Sequence, residues 1–181
     1  MDRVDPTKLF AEARHAYERA RTRAAVLGAW PVLVLAGVCL ALGMRPWFVL
    51  PVALVHAAVV VALLHRGRAA GRAVTTGWLA GSLPFLVSLL GCRVPHACSG
   101  GSCVAMCLPA CLFASFVAGV LIVRHARVRP TETREAAIAA AMVAALTGGM
   151  GCAMLGLGGA VALLGGLALV TGPAVLVAAR R

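Results

Sequence analysis

The chain has no asparagine and no glutamine, and only six of its 181 residues are acidic. Charge of either sign is scarce: Asp, Glu, Lys and Arg make up 13% of the chain, against 61% hydrophobic residues and a mean hydropathy of +0.93. A water-soluble fold of this size has too little interior to hide that much apolar surface, which excludes a soluble globular protein. Proton and ion carriers need ionisable or strongly polar groups inside the membrane, and the apolar runs offer no carboxylate and no amide, so a carboxylate-relay carrier is excluded too. A paired nucleophile and base and a phosphate-binding loop are also missing. The glycines at 148, 149, 151, 156, 158, 159, 165 and 166 belong to apolar runs, where they serve close helix packing rather than anion binding. No enzyme is expected.

What is present is uninterrupted apolar length. Six stretches, 24–43, 47–64, 73–91, 103–123, 136–155 and 157–179, contain no Asp, Glu, Lys or Arg. Each approaches the roughly 20 residues, at about 1.5 Å of rise apiece, that cross a hydrocarbon core. They are continuous rather than alternating, so helices and not barrel strands are expected. The expected fold is all-α, a polytopic membrane protein of six transmembrane helices with both termini cytoplasmic. Residues 1–23 are expected as a cytoplasmic amphipathic helix and 24–181 as the membrane domain, with an outer cysteine-rich loop at 92–103 and inner basic loops at 65–72 and 124–135. The residues before the first run include Asp2, Asp5, Glu12 and Glu18, unlike the basic leader of a signal peptide, so that run is expected to be a retained span.

The basic residues set the expected orientation. Arg3, Lys8, Arg14, Arg19, Arg21, Arg23, Arg66, Arg68, Arg72, Arg124, Arg127, Arg129, Arg134, Arg180 and Arg181 fall on one side, against Arg45 and Arg93 on the other. The positive-inside rule puts the larger group, and both termini, in the cytoplasm. The formal charge of +11 then reflects arginines anchored to anionic lipid beside the spans rather than a nucleic-acid surface.

This orientation gathers all seven cysteines in the outer half, where an oxidising compartment permits disulfides. The stretch CRVPHACSGGSCVAMCLPAC (92–111) holds five of them with His96; Cys39 and Cys152 are the others. Three interpretations stay open. Cys103, Cys107 and Cys111 stand at i, i+4, i+8 on a ridge that continues as Ser115 and Gly119, the pattern of small residues at a helix contact. Ala137, Ala141, Ala145, Gly149 and Ala153 form a similar ridge in the fifth span. Alternatively, Cys92, His96, Cys98 and Cys103, extended by Cys107 and Cys111, supply thiolate and imidazole ligands for zinc or another soft metal ion, the one cofactor the sequence suggests. Third, Cys92, Cys98, Cys103, Cys107 and Cys152 are candidates for a thiol switch. Pairs such as Cys92 with Cys98, or Cys103 with Cys152, suit a disulfide better than two positions four apart on one helix, and an odd total leaves at least one thiol unpaired in a monomer. His56, inside the second span, is expected to bond a carbonyl or hydroxyl on a neighbouring helix. Pro84 and Pro109 are expected to kink their spans, Pro109 by freeing the carbonyl of Ala105.

On the inner side, residues 5–23 read as a helix with Asp5 as its cap, Pro6 in its first turn and Phe10, Ala13, Tyr17 and Ala20 on one face. That face can lie on lipid, pack against the inner loops or bind a soluble protein. Phe10 and Tyr17, with Arg127 and Arg129 of the inner loop, are the candidate partner contacts. Thr131 or Thr133 reads as a capped entry into the fifth span.

With LGMRPWF (42–48) after the first span, VRHARVRPTETREAAIAA (123–140) and GGMGCAM (148–154), the layout resembles the six-span bacterial membrane anti-sigma factors of the negative-regulator-of-sigma-F type. The likeness is one of topology along the whole chain. It implies a multi-pass protein of the bacterial inner membrane that holds a cytoplasmic sigma factor and releases it on a signal, and it implies a sensing pair of Cys152 with Cys103 or Cys107. The chain departs from that pattern in being short and in crowding extra cysteines and His96 into its third loop.

The leading expectation is therefore a membrane-embedded signalling regulator in which thiol oxidation or capture of a soft metal at the outer ends of spans three, four and five changes their packing and controls a cytoplasmic partner. Soft-metal transport or detoxification, and a purely structural membrane subunit, are the alternatives. The expected partners are the lipid bilayer and the sigma factor, with no direct nucleic-acid contact, and a homo-oligomer stays open.

Overall fold

A computed structural model describes residues 6–93, 102–127, 133–152 and 157–179. Seven α-helices lie among them: α1 (Pro6–Gly28), α2 (Trp30–Ala41), α3 (Pro46–Arg66), α4 (Arg68–Arg93), α5 (Ser102–Arg127), α6 (Thr133–Cys152) and α7 (Leu157–Ala179). No strand occurs among the described residues. Six segments are long and apolar enough to cross a membrane: Phe10–Ala41, Pro46–Arg66, Ala70–Gly91, Cys107–Ala126, Arg134–Cys152 and Gly158–Leu176. The protein is thus an all-α, multi-pass membrane protein.

The first of these segments joins two helices. No proline or glycine interrupts 7–27, so α1 runs past residue 23, where the composition turns apolar, and ends only at Gly28. Pro31 forces the step that follows. It has no N–H to give the carbonyl of Leu27, and its ring clashes with that carbonyl. Bonds to the third residue back, Ala29 N to Val26 O (3.1 Å) and Val32 N to Ala29 O (3.0 Å), carry the chain across. At the far end of α2, Gly43 takes φ 82°, a left-handed conformation that glycine adopts without a steric cost, and Pro46 opens α3. Pro6 likewise opens α1, while Asp5, Thr131 and Glu132 lie outside the described residues.

α4, α5, α6 and α7 form the core. α4 packs on α6 and α5 on α7, and these pairs are parallel: Gly77 and Gly81 meet Ala140 and Ala144, while Leu108 and Ser115 meet Gly158 and Gly166. A Cβ on Gly77 would stand 2.6 Å from the carbonyl oxygen of Ala140, and one on Gly81 2.8 Å from Cα of Ala144. Such close approach maximises dispersion contact where no hydrophobic effect drives helices together. The fifth-span ridge expected at Ala137, Ala141, Ala145, Gly149 and Ala153 does not map as a whole onto this contact, and Ala153 lies outside the described residues. Gly149 lies against Leu163 of α7, and Ala140 and Ala144 take the contact with α4. A helix made almost wholly of small residues offers several usable ridges, and its neighbour selects among them. On α5 the described members of the expected ridge do pack inward: Cys107, Cys111 and Ser115 are buried, and Gly119 meets Val170 of α7.

α3 flanks this core against α4 and α6, with α2 and α1 beside it. Large apolar side chains such as Trp30, Leu33, Trp47, Leu54, Leu79, Phe113 and Leu169 are exposed, as lipid-facing residues of a membrane bundle are. Helices α2, α4 and α6 finish at the end of the bundle where α3, α5 and α7 begin. Cys39, Cys92, Cys103, Cys107, Cys111 and Cys152 all belong to that cysteine-bearing end, and Arg66, Arg72, Arg124, Arg127 and Arg134 to the opposite, basic end.

Candidate functional site: a buried thiol cluster

Three helices bring one polar side chain each to a single point near the cysteine-bearing end. Ser88 comes from α4, Cys111 from α5 and Cys152 from the last position of α6. The two sulfur atoms are 3.3 Å apart, and Ser88 Oγ is 3.1 Å from Cys111 Sγ and 3.3 Å from Cys152 Sγ. All three side chains are buried.

Counting hydrogens orients the cluster. Ser88 has one hydroxyl hydrogen and donates it to the carbonyl oxygen of Pro84 at 2.8 Å, so toward the thiols its oxygen acts as acceptor. Cys152 donates its S–H to Cys111 Sγ, and Cys111 in turn faces Ser88 Oγ as donor. A one-way chain results, from Cys152 to Cys111 to Ser88 to the α4 backbone. Ser115, one turn further along α5, donates to the carbonyl of Cys111 at 2.6 Å and fixes that turn. The sulfur separation is that of a thiol contact, well beyond the about 2.05 Å of a disulfide. The site is therefore two adjacent thiols, held by one hydroxyl at the meeting of three helices.

Cys107 is buried one turn nearer the start of α5, where its sulfur faces Gly91. Cys92 and Cys103 stand near the end of α4 and the start of α5. His96, Cys98 and Arg129 lie outside the described residues, and Arg127 is the last residue of α5. Cys39 is buried apart from the cluster, among Val32, Ala36 and Val49. Among the described residues no group of three or more His, Cys, Asp or Glu side chains converges as a metal site would require. Phe10 and Tyr17 are 78% and 66% exposed on α1.

The structure thus brings Cys152 into contact with Cys111, a pair that the spacing of the cysteines did not single out. Ser88 escaped the sequence reading altogether. One signal was available, because Ser88 sits four residues before Cys92 and so shares its helix face.

A second polar contact ties α3 to α6. His56 is fully buried, and its Nε2 stands 3.5 Å from Thr147 Oγ1. Thr147 gives its own hydrogen to the carbonyl of Val143 at 2.8 Å, which leaves its oxygen able to accept from His56 Nε2 in the Nε2–H tautomer. Nδ1 then has no hydrogen-bond partner among the described residues.

No protein-family model matches the chain, and no curated protein or solved structure matches it significantly.

Proposed function

We propose that the protein is a membrane-embedded signalling regulator in which the Cys111–Cys152 pair is the sensing element and the basic end of the bundle holds a cytoplasmic partner. The observation that carries this proposal is the contact of two thiols from different helices, 3.3 Å apart and buried with Ser88. Oxidation or capture of a soft ion would change the separation of α5 and α6, and a bundle packed this closely responds by shifting helices rather than by local adjustment. The arginine distribution supports an orientation with the thiols toward the outer face and α1 in the cytoplasm. The bacterial inner membrane as location and a sigma factor as partner rest on the resemblance in layout alone.

The signal must favour one helix arrangement over the other through its own differential interaction with the two. In cells, affinity capture of the tagged protein should retain its cytoplasmic partner at rest and lose it after oxidant or soft-metal treatment. Serine at both Cys111 and Cys152 should abolish that response while the protein remains inserted. Release that is unchanged in this double variant would reject the assignment. Accumulation of metal inside cells or liposomes would instead favour transport, since a sensor need not move its ligand.

A further inference from the structure

The N-terminal helix carries an unused interface. Every residue from Phe10 to Ala20 is exposed, so this part of α1 is free of the bundle on all sides. Contact resumes with Arg21, Ala25 and Gly28, where Gly28 meets Leu64 of α3. The free portion nevertheless has a pattern. Phe10 and Tyr17 stand seven apart, Ala13 and Ala20 fill the positions three residues after each, and together they make an a/d seam of two heptads. The seam is not the face turned to the bundle, because Ala24 and Leu27, which continue it, are exposed whereas Ala25 is buried.

Charge selects what can cover the seam. In this register Arg14 and Arg21 occupy the e positions and Arg23 a g position, the sites that meet a partner helix's flanks. No acidic residue occupies an e or g position from Phe10 to Arg23. Two copies of α1 set side by side would therefore oppose arginine to arginine or alanine, with nothing to neutralise either. Arg14 has an ion pair with Glu18 at 3.1 Å, but both side chains are exposed, and such a pair is exchanged at little cost. Residues 6–23 extend about 27 Å at 1.5 Å per residue before the point where Gly28 meets Leu64 of α3, long enough to present two heptads clear of the bundle.

We infer that α1 docks an acidic amphipathic helix of a soluble protein as a two-stranded coiled coil, Phe10 and Tyr17 entering its apolar seam and Arg14, Arg21 and Arg23 pairing with its flanking carboxylates. This inference rests on the proposed regulator role for its biological meaning, but not on the thiol cluster.

The test uses the full chain in nanodiscs of neutral lipid and two fluorescent heptad peptides, each with Leu at a and d, one with Glu and one with Lys at e and g. The Glu peptide should bind saturably, more weakly as salt rises, while the Lys peptide should not bind. Phe10→Ala with Tyr17→Ala should weaken the Glu peptide by roughly tenfold or more, a loss of about 1.4 kcal/mol. Arg14→Glu with Arg21→Glu should reverse the preference so that the Lys peptide now binds, a gain that a misfolded variant would not produce. Failure of the Glu peptide to bind, equal binding of both peptides, or indifference to the seam variants would overturn the inference. So would capture of α1 by phosphatidylserine vesicles in place of the peptide. Peptide binding needs no thiol chemistry, so its loss would leave the sensing role standing, and an unresponsive Cys111–Cys152 pair would leave this interface standing.

Discussion

Cys152 is the only cysteine beyond residue 130, and its sulfur lies 3.3 Å from that of Cys111. That arithmetic makes the pair directly testable. If a specific protease site is inserted between α5 and α6 and the protein is oxidised and then cut, any disulfide joining the two fragments must include Cys152. We expect the fragments to stay linked on a non-reducing gel, the link to persist with Cys103→Ser and Cys107→Ser, and to vanish with Cys111→Ser; a link that survives Cys111→Ser would show that another thiol is the partner. The spacing of cysteines on α5 was legible as a ridge because helical periodicity needs only local sequence. Which member of the ridge meets Cys152 was not, since that depends on the axial offset of two helices 41 positions apart at these residues. Ser88 was invisible for the same reason: its role lies in an oxygen that stands within 3.3 Å of sulfur atoms on two other helices.

At the level of the helices, hydropathy alone made the six spans readable, and the structure keeps them. Their neighbours were harder. α4 and α6 form the closest pair although α5 separates them in the chain, and sequence order favours the opposite expectation, that consecutive helices pair first. The join between α1 and α2 shows a different limit. A change from charged to apolar composition near residue 23 looked like an element boundary, yet backbone hydrogen bonds are indifferent to side-chain polarity, and the break waits for Pro31. Glycines in close contact and glycines facing open space should respond unequally to substitution. Gly81→Leu should lower stability by about 1–3 kcal/mol through overpacking, because even a Cβ there would stand 2.8 Å from the α6 backbone. Gly165→Ala, which would meet nothing within 4 Å, should be close to neutral. Unfolding in mixed micelles by a denaturing detergent measures both, and equal losses would contradict the α4–α6 contact.

For the molecule as a whole, the two ends differ in chemistry: most arginines gather at one, and the thiols, beside only Arg45 and Arg93, at the other. The proposed orientation predicts which end faces the outside. With Cys98 as the sole cysteine, a membrane-impermeant maleimide should label intact cells; labelling that appears only after the membrane is permeabilised would invert the topology and remove the thiols from an oxidising compartment. The separation of the two ends also divides labour. α3 touches α4 and α6 on one side and α1 on the other, and α2 also touches both α1 and α6, so weakening both α2 and α3 contacts should uncouple the ends without altering either.

The pairing of α4 with α6 bears on how the chain is made. During synthesis α4 enters the bilayer with Gly77 and Gly81 bare, and the surface that fits them is still inside the ribosome. Until α6 arrives, that notched face is open to any passing helix, of this nascent chain or of another. The final hairpin, α6 with α7, therefore acts as the closing piece of the bundle, and a chain truncated before it would be left with its most adhesive surface uncovered.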